Sequence, residues 1–114
     1  SLEWLSTTVL WKQEVAFFQK LLDRYSAQLT SPEDKKKISH FQNVITYYGG
    51  ELIDTLRKKI KAHEHKLADL LQELKSQDQE YYQEHGELLE ELSAFMKTFN
   101  SFKSEFFSFI DRAM

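Results

Sequence analysis

Apolar residues recur along this chain in three heptad-spaced stripes. The first is Trp4, Thr8, Trp11, Val15, Phe18, Leu22, Tyr25 and Leu29, with steps that alternate four and three without a slip. That alternation holds one face of a helix toward a neighbour. Leu10, Phe17 and Leu21 widen the stripe, which predicts that this helix touches more than one neighbour.

The second stripe runs through Ile38, Phe41, Ile45, Tyr48, Leu52, Leu56, Ile60, His63, Leu67, Leu70 and Leu74. Its consecutive steps of four at 48–52–56–60 form a stutter, which locally unwinds a supercoil. Gly49-Gly50 lies inside the stutter, and each glycine costs about 1 kcal/mol relative to alanine in a helix. The stripe resumes on the same face, so a continuous or kinked helix is expected. The alternative is a break there, giving four helices. The third stripe, Tyr81, His85, Leu88, Leu92, Phe95, Phe99, Phe102, Phe106, Phe109 and Ala113, again alternates steps of four and three.

Two turns separate the stripes. Ser31-Pro32-Glu33-Asp34 reads as an N-cap serine, a proline at the first helical position, and two acids at the positive end of the helix dipole. Ser76-Gln77-Asp78-Gln79 has the form of a capping box, with Gly86 as an alternative break. Short turns make sequential helices antiparallel. The expected fold is therefore an all-α, antiparallel three-helix bundle of long coiled-coil-like helices in a single domain, 1–114. The middle helix outruns the first. Beyond about residue 59 only the second and third helices would stay paired, as an arm of about 24 Å.

Composition agrees with this architecture. Three glycines and one proline leave little turn chemistry for a sheet protein. Nine phenylalanines supply the bulk that fills a narrow seam. The formal net charge of −3 gives no general attraction to nucleic acid or acidic lipid. Without cysteine there is no disulfide or zinc–thiolate chemistry. No apolar run approaches the roughly 20 residues that span a bilayer. No signal peptide is visible, and a cytoplasmic location is the default expectation.

Charge patterning supports the pairing of the second and third helices. Arg57, Lys58, Lys59, Lys61 and Lys66 crowd one stretch; Glu80, Glu84, Glu87, Glu90 and Glu91 crowd another. A turn near 77 would set Lys66 level with Leu88 and Lys61 level with Ser93. The basic run then reads as a flank neutralised by its neighbour. A nucleic-acid patch would need aromatic interleaving or a recognition motif, and neither is present.

The chain carries His40, His63, His65 and His85. Ferritin-like di-metal sites use Glu-x-x-His, but Lys37, Ile60, Ala62 and Tyr82 stand three residues before these histidines. His63 and His65 lie about 200° apart on a helix and point away from each other. A turn near 77 would place His85 beside Asp69 and Leu70, and His63 near Glu91 and Leu92. A metal site of His65, Asp69 and His85 is the alternative reading. Against it, His63 and His85 act as polar seam residues that set register, as a buried asparagine does in a coiled coil. There is no G-x-S-x-G, P-loop or G-x-G-x-x-G, so no enzymatic activity and no cofactor are expected.

Phe99, Phe102, Phe106, Phe107 and Ile110 concentrate apolar surface at the C-terminal end. They either pack against the other helices or form a strip that receives a partner helix or a second copy. The functional expectation is a non-enzymatic helical interaction module, self-associating as a homodimer, with a helical-bundle metalloprotein as the alternative.

Overall fold

Ser31 starts the second helix as its sequence implies. Its extended backbone (φ −66°, ψ 156°) lets the side-chain hydroxyl accept from the Asp34 N–H at 3.0 Å, and Pro32 fills the first turn. Asp34 is buried and accepts from Arg112 Nη1 at 2.9 Å, which ties this helix start to the end of the chain. The computed structural model describes residues 2–72 and 79–114. Its helices are α1 (Leu2–Tyr25), α2 (Pro32–Tyr47), α3 (Ile53–Gln72) and α4 (Gln79–Asp111), with a single 3₁₀ turn at Ser26–Gln28. They form an all-α three-helix bundle of 62 × 18 × 18 Å. The capping-box turn at Ser76, Leu74 and the side chain of Leu70 lie outside the described residues.

Gly49-Gly50 does not break the middle helix. A π-helical turn, Tyr48–Leu52, joins α2 to α3, so Pro32 to Gln72 is one helical run in two α segments. The backbone stays right-handed on both sides, at φ −63°, ψ −50° for Tyr48 and φ −64°, ψ −40° for Ile53. This corrects the seam assignment. Tyr48 is buried, but the next core residue is Ile53, not Leu52, which is only half-buried. The buried series runs 48, 53, 56, 60, 63, and its step of five is the signature of one inserted residue in a π turn.

Helix–helix contact explains the insertion. A Cβ on Gly49 would lie 3.0 Å from Val15 Cγ1, so α1 approaches the middle helix where no side chain intervenes. Gly50 and Gly86 meet nothing within 4 Å of an added Cβ. Gly86→Ala, in exposed mid-helix, is therefore expected to raise stability by up to about 1 kcal/mol, read as an increase in urea midpoint at unchanged slope.

The core is an aromatic ladder. Phe18 of α1 lies 6.0, 6.0 and 5.3 Å from Phe99, Phe102 and Phe106 of α4. Tyr48 meets Phe95, Phe99 and Phe102 edge-on at 5.2, 5.8 and 5.6 Å, the favoured quadrupolar geometry. Trp11 lies against Phe95 at 4.7 Å and Trp4 against His85 at 5.0 Å. These contacts advance together along both chains, so α1 and α4 run parallel, with the middle helix antiparallel to each.

The register of α3 on α4 differs from the one a turn at 77 implies. Lys66 Nζ bonds Glu84 at 2.9 Å and Lys59 Nζ bonds Glu91 at 2.9 Å, so a seven-residue advance on one helix matches a seven-residue retreat on the other. Lys66 is thus level with Glu84 rather than Leu88, one helical turn away. α1 also reaches further, because Trp4 covers the level of His85. The two-helix arm on α3 shrinks to residues 64–72, about 13 Å.

Candidate functional site

Where α1 runs out, three helices meet in a polar and aromatic layer. His63 is buried on α3, at the end of the step that the π turn sets. Its Nε2 lies 2.9 Å from Nδ1 of His85 on α4. Its ring stacks on Tyr81 at 4.3 Å and 7°. His85 in turn stacks on Trp4 of α1 at 5.0 Å and 27°. One helical turn deeper, Thr8 is buried; its hydroxyl donates to the Leu5 carbonyl at 2.7 Å and accepts from Arg57 Nη1 at 3.2 Å.

The tautomer follows from what surrounds His63. Its Nδ1 is buried without a hydrogen-bond partner. An unpaired acceptor lone pair is tolerated better than a buried unpaired N–H. The favoured arrangement therefore has His63 Nε2–H donating to His85 Nδ1, which leaves His85 with its proton on Nε2. Burial, first, and His85, second, push the His63 pKa below its ordinary value, while Glu84 and Glu64 oppose them. Burial and Glu64 raise the Tyr81 phenol above its ordinary range.

This layer is not the trio considered from sequence. His65 and Asp69 are exposed on α3, and His85 is engaged with His63 instead. Among the described residues no group of three or more His, Cys, Asp or Glu side chains could hold a metal ion. The two seam histidines, expected at levels about 9 Å apart, are in direct contact.

The phenylalanine strip also moves inward. Phe99, Phe102, Phe106 and Ile110 are buried within the bundle, and Phe107 alone of the five is exposed. The exposed apolar surface is elsewhere. Leu10 and Phe17 on α1 and Tyr82, Leu89, Met96 and Phe107 on α4 are each 42–63% exposed. Seven-residue spacing puts Glu3, Leu10, Phe17 and Arg24 in one column of α1, and Tyr82, Leu89, Met96 and Lys103 in one column of α4. Lys103 of the α4 column pairs at 3.0 Å with Glu14, which lies beside the α1 column. The signal for the second column was present in the sequence as a seven-residue repeat, but the stronger seam one position away obscured it.

The basic run of α3 is divided among its neighbours. Arg57 donates to Thr8, Lys59 pairs with Glu91, and Lys66 pairs with Glu84 and lies 4.0 Å from Glu80. No described helix is long and apolar enough to cross a membrane. Compared with protein-family models, curated proteins and solved structures, the chain matches none.

Proposed function

We propose that this chain is a non-enzymatic helical interaction module that self-associates, with a second copy lying antiparallel on the α1–α4 face. The observation that carries this reading is the pair of exposed apolar heptad columns on two parallel helices. A bundle that buries its own seam and still repeats Leu10, Phe17 on one helix and Leu89, Met96 on the next has a second seam to cover.

The occupant follows from charge. The α1 column begins on Glu3 and ends on Arg24, with Leu10 and Phe17 between. A copy related by a two-fold axis across the rod sets Glu3 against the partner's Arg24 and Leu10 against the partner's Phe17. Such an interface is self-complementary, as two-fold contacts must be. A parallel copy would instead oppose like charges at both ends.

Light scattering at tens of micromolar is expected to give twice the chain mass. Phe17→Glu and Met96→Glu change side chains already exposed in the single chain, so helical circular dichroism stays constant while the mass falls to one chain. Glu3→Arg or Arg24→Glu each disturbs both symmetry-related copies of the pair and weakens association by up to about thirtyfold, at about 1 kcal/mol for each of two exposed ion pairs, and the double exchange restores it. A monomer mass for the unaltered chain overturns the reading. A dimer indifferent to Phe17→Glu and Met96→Glu overturns the assigned face.

A further inference from the structure

The histidine layer has a property that the self-association reading neither uses nor requires. One hydrogen bond, 2.9 Å long, links two imidazoles at a level where Trp4, His63, Tyr81 and His85 bring α1, α3 and α4 together through stacked rings. That bond holds one proton between two nitrogens. With no proton there, two lone pairs face each other; with two, N–H faces N–H. We propose that the His63–His85 pair is an acid-operated latch: with one proton between the rings it clamps α1 to the α3–α4 arm, and double protonation opens it.

The proton balance is explicit. In the closed state His63 Nε2–H donates to His85 Nδ1. The first proton taken from solvent gives one imidazolium and one neutral ring, which can still share a charge-assisted hydrogen bond. The second leaves two cations whose facing nitrogens both carry protons, so the bond is lost and the rings repel. Because the two sites interact this closely, the apparent titration steps belong to the pair.

The groups around the pair set where this happens. On α3, Glu64 favours a charged His63. On α4, Glu84 does the same, although it is held by Lys66 at 2.9 Å, while Tyr81 is a neutral stacking partner. Lys59 lines the same groove as His63 and Glu84. On the α1 side the uncharged Trp4 ring stacks on His85, and a charged His85 itself disfavours protonation of His63. Burial acts in that same direction and is the largest influence, consistent with an Nδ1 that has no partner to receive a charge. A histidine held below its ordinary value of 6.5 contributes stability that is complete above that value. The contribution is lost as pH falls from there toward the folded-state value. The latch is therefore closed at neutral pH and opens in mild acid.

The test uses the full chain. Long-range ¹H–¹⁵N imidazole spectra follow each histidine separately and need no variant. His63 is expected to titrate below its ordinary value of 6.5, and it is expected as the Nε2–H tautomer at neutral pH. Amide exchange supplies the conformational readout. Protection over residues 3–8 and 81–88 should fall severalfold between neutral pH and mild acid, while residues 95–106 hold theirs. In His85→Gln, an amide that stays neutral, the local fall should shrink, leaving only the part that burial of His63 supplies. The proposal is overturned if His63 titrates at or above its ordinary value of 6.5. It is equally overturned if protection falls uniformly along the chain, or to the same extent in His85→Gln.

Discussion

Phe106→Ala is expected to cost about 3–5 kcal/mol, the range for removing a fully buried phenylalanine. Phe106 has no exposed surface. Its ring lies 5.3 Å from Phe18 of α1, 5.4 Å from Phe41 of α2 and 5.7 Å from Phe102 of its own helix. Deleting it opens a void that three helices share. Collapse would require rigid helices to move together, and packed aromatics relax poorly. Because a domain of this size has roughly 5–15 kcal/mol of stability in total, the loss should be visible as a large fall in urea midpoint. Phe107→Ala supplies the contrast. That neighbouring ring is 42% exposed, so its loss should cost well under half as much. Equal effects at 106 and 107 would mean that the bundle does not close as described.

Gly49→Val should destabilise the chain by about 1–3 kcal/mol, the cost of overpacking, even though valine is the better helix former. The new Cβ would sit 3.0 Å from Val15 Cγ1, tighter than ordinary contact. Val15 is buried, and a β-branched side chain in a helix has one strongly preferred χ1, so it cannot swing aside cheaply. A mutant cycle separates contact from propensity. Gly49→Ala combined with Val15→Ala should be more stable than the sum of the two single changes predicts, by at least about 0.5 kcal/mol. Gly50→Ala, with open space around it, should show no such coupling to Val15. If Gly49 and Gly50 behave alike, helix contact is not what keeps Gly49 bare.

These two expectations differ in how far the sequence foreshadows them. Phe106 occupies a heptad position between Phe102 and Phe109, and spacing alone marks it as core. The same holds for Trp11, Val15, Phe18 and Leu22, and for Ser31-Pro32 as a helix start. Each depends on chemistry within one or two turns of chain, where the helical period or a capping hydroxyl suffices. Gly49 is different. A glycine pair in a stutter is compatible with a kink, a break or a π turn. Only the approach of Val15, thirty-four positions earlier, selects among them.

The candidate sites divide along the same line. That His63 and His85 belong to seams was legible; that they touch was not. A heptad stripe slid by a turn or two along its partner still meets apolar with apolar, so periodicity specifies faces but leaves register open. Interlocking side chains fix the register, here the His63–His85 bond and the Lys59–Glu91 and Lys66–Glu84 pairs. The phenylalanine strip illustrates the complementary gap. Sequence places apolar residues on a face, but whether that face is covered depends on the direction of a distant helix. Because α1 lies parallel to α4 over this region, Phe99, Phe102 and Phe106 are inside, and Leu89 and Met96 remain outside.

By itself, then, the sequence determined three long amphipathic helices, the cap at Ser31 and the identity of nearly every core residue, because helical period and capping act over a few residues. Only the tertiary structure decided the π turn, the meeting of the two histidines and which apolar column stays exposed. Each of those depends on how far one helix slides along, and how closely it approaches, another that is remote in the chain.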